Sequence, residues 1–183
     1  MKVLLVSPGQ TDWADQHRLK GNLDIPLNAD GVESIQKLAA KLLATTVTAI
    51  YCPTTLDGKQ TAHIIGRITK AKVHARKALN DVDEGLWQGL TREELKRRHP
   101  QVYARWMNSP DSVRPPRGED LTMVMGRVRT LAAELKRKRA EQTVLCVVPS
   151  LIRKVLAREL AGTQSDPAGH DDGHDDDMDV LNL

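Results

Sequence analysis

Ser7 and Ser150 sit at strand ends and carry hydroxyls that chemistry could use. Each sits beside a proline at the end of an apolar run, Val3 to Val6 in one case and Val144 to Val148 in the other. A serine hydroxyl becomes a nucleophile only when a neighbouring base takes its proton. No histidine adjoins either serine in sequence. His17 falls in a polar loop, and His63 and His74 fall in stretches of helical and strand character, where structural roles are expected. A further set, His170-Asp-Asp-Gly-His174-Asp-Asp-Asp177, has ligand types for a divalent ion but not the Asp-x-Asp-x-Asp-Gly spacing of a calcium loop. It reads as a solvated acidic tail.

The elements that must position these groups follow from periodicity. Val3 to Val6 is a buried strand, stopped by the turn Ser7-Pro8-Gly9. Strand character recurs at Thr48 to Cys52, Lys72 to Ala75 and Thr143 to Val148, with Val180 to Leu183 as a last short strand. Between them, apolar residues at three- and four-residue steps predict helices. One contains Val32, Ile35, Leu38 and Leu42; others run from about Lys59, Pro100, Glu119 and Leu151. Thr91 and Glu94 have the spacing of a capping box. Alternating buried strands and helices predict an α/β fold, a three-layer α/β/α sandwich with a mostly parallel central sheet. Ligands of such sheets sit at the carboxyl ends of the strands, which is where Ser7 and Ser150 fall.

The 183 residues predict one domain over 1–162 and an acidic, flexible tail over 163–183. That tail holds seven Asp and no Lys or Arg. The remainder therefore has 27 basic against 17 acidic residues, 24 less seven, and a balance of +10 where the whole chain has +3. A basic body can steer anions, so an unknown protein or a small anionic ligand is an expected partner. No stacking aromatics interleave with the basic residues, which argues against nucleic acid. No run reaches the roughly 18 to 20 apolar residues of a membrane span, and no signal peptide is evident. Cys52 and Cys146 fall in apolar, strand-like runs and are expected as buried free thiols, in keeping with a cytoplasmic location.

The run Leu4-Leu5-Val6-Ser7-Pro8-Gly9-Gln10-Thr11-Asp12-Trp13, followed by Arg18, Gly21, Asp24, Pro26-Leu27-Asn28 and Gly31, resembles the opening of the histidine phosphatase superfamily, the phosphoglycerate-mutase-like proteins. Leu79 to Thr91 resembles that family's Leu-x-Glu-x-x-x-Gly-x-Trp-Glu-Gly-Leu-Thr, and Pro116-Arg117-Gly118-Glu119 its Pro-Gly-Gly-Glu. The resemblance implies the same fold over roughly residues 1 to 160. It also implies a reaction in which a histidine attacks phosphorus, arginines hold the phosphate and a carboxyl serves as general acid.

At those positions the residues differ. The nucleophilic histidine falls on Pro8, the arginine before it on Ser7, and an asparagine on Ala14. The arginine of Arg-Ala-x-Gln-Thr-Ala falls on Asp57, a reversal of charge. The general acid falls on Asp81, one methylene shorter than Glu. The second histidine falls on Pro149 or Val148, in a motif one residue shorter than the family's. Gly9, Thr11, Arg18, Asp81, Glu119 and Trp87 are kept, and Lys59 and Ser150 are further candidates for holding a ligand. Losing one preorganised donor typically costs about 10²–10³ in rate, and here both histidines and both arginines are replaced together. The expectation is a catalytically inactive relative, a pseudophosphatase with a binding, regulatory or assembly role and no cofactor or metal. Two alternatives are a hydrolase with rebuilt, non-histidine chemistry at the same pocket and an interaction subunit, as a homodimer or beside an active paralogue.

Overall fold

The strand β1 (Lys2–Val6) lies inside the sheet, with Val3 to Val6 buried. The computed structural model describes residues 1–109, 112–137, 142–162 and 178–183. Four more strands follow in these residues: β2 (Ala49–Cys52), β3 (Lys72–Ala75), β4 (Thr143–Val147) and β5 (Asp179–Asn182). They form one sheet in the order β3-β2-β4-β1-β5. All neighbours pair in parallel except β5, which runs antiparallel to β1. The expected last strand is thus present, one residue earlier than the pattern placed it. The Asp- and His-rich stretch 163–177 lies outside the described residues.

The helices are α1 (Asp12–Asp15), α2 (Ala29–Lys41), α3 (Leu56–Thr69), α4 (Arg92–Arg98), α5 (Pro100–Asn108), α6 (Leu121–Lys136) and α7 (Ser150–Ala161). Because strand side chains alternate faces, Leu4, Val6, Ile50 and Leu145 pack under Ile35 and Leu38 of α2 and Ile65 of α3. Val3, Leu5, Tyr51 and Val144 meet Val128 and Leu131 of α6 and Val155 and Leu156 of α7 on the other side. Helices cover both faces, and the result is the three-layer α/β/α sandwich that the alternating pattern predicts. Each fully buried Leu or Val here contributes roughly 1.5–3 kcal/mol of transfer free energy. A smaller cluster of Leu19, Trp87, Leu95 and Val113, with Trp106 and Tyr103 packed on it, forms beyond the carboxyl ends of the strands.

Local chemistry sets the helix ends. Thr91 and Glu94 form the expected capping box, each side chain bonded to the other's backbone N–H at 3.0 and 2.8 Å. Asn28 caps α2 by accepting from Gly31 N at 2.8 Å, and Gly162 ends α7 in the left-handed conformation. Cys52 and Cys146 are free and buried. They lie on adjacent strands but belong to the cores of opposite faces, so their side chains diverge and cannot bridge.

Candidate functional site

The pairing of β1 with β4 sets Val6 opposite Val147, so the two strands end side by side. Ser7-Pro8 and Val148-Pro149 therefore leave the sheet as neighbours, tied by Val148 N donating to Val6 O at 2.8 Å. Both turns open onto a cavity of about 630 Å³. Ser7, Pro8, Pro149, Ser150, Asp57 and Asp81 all line it, although they come from four separate stretches of the chain. Gly9, Thr11, Arg18 and His17 line it too, and Trp106 and Val113 reach it from the apolar cluster beyond the strands. The sequence-predicted positions, Lys59 apart, converge on one place.

Lys59 does not line this cavity. It lies two residues beyond Asp57 on α3, and positions i and i+2 of a helix face different sides. Its charge instead acts near Cys52. His63 Nδ1 lies 2.7 Å from Lys59 O on the same helix, and His74 stacks on Tyr51 with centroids 5.4 Å apart; both serve local packing. His17 is exposed while lining the cavity. Among the described residues no hydrogen bond joins a histidine to Ser7, Ser150 or Asp81. Ser7 Oγ instead accepts from Arg153 Nη1 at 3.4 Å, and Arg153 Nε donates to Asp179 of β5 at 2.5 Å.

The groups kept in the opening stretch are engaged with the protein itself. Gly9 N donates to Thr61 Oγ1 at 3.0 Å, and a Cβ at Gly9 would come within 2.9 Å of Gly31 O and of the Ile35 side chain. Thr11, 3% exposed, caps α1 by accepting from Ala14 N at 3.2 Å. Arg18 donates to Gly89 O at 2.7 Å and to Gln16 Oε1 at 2.8 Å. Glu119 chelates Arg127 at 2.9 and 3.1 Å. Arg127 also donates to the carbonyls of Ala78, Asn80 and Asp81 at 2.7 to 3.0 Å, which fixes the loop that carries Asp81.

Two side chains complete the site that sequence reasoning did not single out. Asp57 is 1% exposed, and its Oδ2 is paired with the ammonium of Lys20. The reversed charge is therefore compensated from within, one ammonium against one carboxylate. No local pattern marks Lys20, although a buried aspartate calls for some cation. Glu84 lies three residues beyond Asp81 and lines the same cavity. Burial, then the negative charges of Asp81 and Asp83, push it up to about 8 against the pull of Arg92. Asp81 is raised as well, chiefly by removal from water, with Val82 N and the charge of Lys20 opposing. Asp57 Oδ1 and Glu84 Oε2 are buried and accept no hydrogen bond among the described residues.

The model of the histidine phosphatase superfamily (branch 1) matches residues 3–172 of this sequence. The chain belongs to the histidine phosphatase superfamily. Phosphoserine phosphatase 1 of Hydrogenobacter thermophilus is 26% identical over 162 residues, covering 88% of this chain and 77% of that protein. The bifunctional protein Rv2228c of Mycobacterium tuberculosis is 30% identical over 129 residues, 70% of this chain but 35% of its own length. A mycobacterial glucosyl-3-phosphoglycerate phosphatase, solved in complex with VO3, superposes with a TM-score of 0.81 at 25% identity over 88% of this chain and 81% of that one. The superfamily's fold is thus present. Among the described residues no helix is long and apolar enough to cross a membrane.

Proposed function

We infer that this protein is a non-catalytic histidine phosphatase homologue whose cavity has a binding role. The observation that carries this reading is the adjacency of Pro8 and Pro149 at the mouth of the cavity. The family's motifs place the nucleophilic histidine on Pro8 and the second histidine on Pro149 or the adjoining Val148. Proline has neither a free lone pair to attack phosphorus nor a proton to give a leaving group. The arginine positions hold Ser7 and Asp57, so neither offers a guanidinium to a phosphoryl group, and the Lys20 ammonium beside Asp57 is taken up in an ion pair with it. The stabilisation missing there is that of the transition state at least as much as of bound substrate, because negative charge is concentrated in it.

The superfamily and its phosphatase relatives make phosphate monoesters the class to test. The expected result with p-nitrophenyl phosphate is no turnover above a blank. Turnover that disappears when Asp81 or Ser7 is replaced would overturn the reading and favour rebuilt chemistry.

A further inference from the structure

His17 stands in the left-handed region, with φ at +52°, where a residue bearing a side chain is uncommon. Its main chain is clamped there. The N–H donates to Ala14 O at 2.9 Å, and the carbonyl accepts from Arg92 N at 3.3 Å. The clamp sets His17 beside the first residue of α4, and both residues are exposed and line the cavity. Neither side chain makes a hydrogen bond or ion pair with any described residue. Their neighbours are engaged: Arg18 on Gly89 O and Gln16, Lys20 on Asp57. Glu84 feels the charge of Arg92, but at about 8 it holds its proton at neutral pH and leaves that guanidinium uncompensated.

Next to this pair the wall turns apolar. Leu19, two residues past His17, and Leu95, three past Arg92, pack in one cluster with Trp106 and Val113. Leu19, Trp106 and Val113 face the cavity, whose volume of about 630 Å³ suits a small molecule. A phosphoryl dianion calls for several donors, and the family's arginine positions supply none here. A single carboxylate is matched by one guanidinium, fork to fork. Resting on the non-catalytic reading above, we propose that the cavity binds a small organic carboxylate with an apolar body, its oxygens on Arg92 and His17 and its body against Trp106 and Val113. Lys154 of α7 also lines the cavity and adds positive charge. Glycine would hold the backbone of residue 17 without a steric cost, so the imidazole is what the strained position retains.

The test is calorimetric titration of the full chain with 3-phenylpropionate, beside the uncharged 3-phenylpropanol and phenyl phosphate. Saturable binding of the carboxylate, weakened by salt and stronger than that of either comparison, is expected. Arg92→Met should weaken it about ten- to a hundredfold. His17→Gly relieves the backbone and should weaken binding without lowering the melting temperature. Where that variant does melt lower, Arg92→Met, an exposed substitution, decides. Absence of carboxylate binding, equal binding by Arg92→Met, equal binding of the alcohol, or tighter binding of phenyl phosphate would overturn the proposal. Turnover of p-nitrophenyl phosphate would sink the non-catalytic reading beneath it, whereas an inert protein that ignores 3-phenylpropionate sinks this proposal alone.

Discussion

Lys20 donates its ammonium to Asp57 Oδ2 across 37 residues of sequence, joining the loop after α1 to the first turn of α3. The pair is unequal, because the Lys20 side chain is 18% exposed and that of Asp57 is 1% exposed. Removing the lysine strands a buried charge; removing the aspartate leaves a cation that can swing toward water. Lys20→Met should therefore cost about 3–5 kcal/mol and Asp57→Asn markedly less. Urea unfolding of both variants and the double variant measures the asymmetry, and equal losses would argue against it.

Asp57→Arg, which installs the arginine that the family's motif carries, should destabilise the protein. The guanidinium would face Lys20 in a buried setting, and like charges there repel. A melting temperature at or above that of the parent would refute this.

Glu84 gives stability a pH dependence of definite sign. Its ordinary value is 4.5 and its folded value about 8. Between these the folded protein keeps a proton that the unfolded chain has released, so stability falls as pH rises through that window and levels off above it. Glu84→Gln cannot ionise and should lose most of this slope, becoming more stable than the parent near pH 9 by roughly 1–3 kcal/mol. Denaturant midpoints measured from pH 5 to about pH 9 in both proteins check it.

The thiols should be silent in the folded state. Burial pushes Cys52 up to about 11 and Cys146 up to about 12. At pH 8 the thiolate fraction is then about 10⁻³ or less, and neither sulfur is exposed. Reaction with a disulfide reagent such as dithionitrobenzoate should be slow natively and complete, at two equivalents, in guanidinium. Prompt native labelling would mean that the sheet opens far more readily than its packing implies.

Arg127→Met should loosen the segment from Ala78 to Asp81, since one guanidinium holds three of its carbonyls and Glu119 besides. The expected cost is about 3–5 kcal/mol, accompanied by faster amide exchange in residues 78–83 than elsewhere. Uniform exchange would leave Arg127 as an ordinary surface partner of Glu119.

The scaffold was legible because its signals are local. The apolar runs of β1 and β4, the Thr91–Glu94 spacing and the helical periodicity each act within a few residues. The positions of Pro8, Asp57, Asp81 and Pro149 in one cavity were legible through their motifs. The site's electrostatics were not, because they arise between distant segments. Nothing near Lys20 announces Asp57, and nothing near Arg127 announces the carbonyls of Ala78 to Asp81. Glu84 stood inside a motif already read, but its raised affinity for a proton depends on burial that only the folded chain creates. Lys59 was a natural candidate by distance along the chain and lost its place to the rotation of the helix.

The register that sets Val6 beside Val147 has a consequence for the main chain itself. The next turns contribute Pro8 and Pro149, whose peptide nitrogens carry no hydrogen. At the lip of the sheet, two amide donors that any other residue would have supplied are absent, while the carbonyls stay. A ligand at this lip meets carbonyl oxygens and side chains, with no amide hydrogen from either proline.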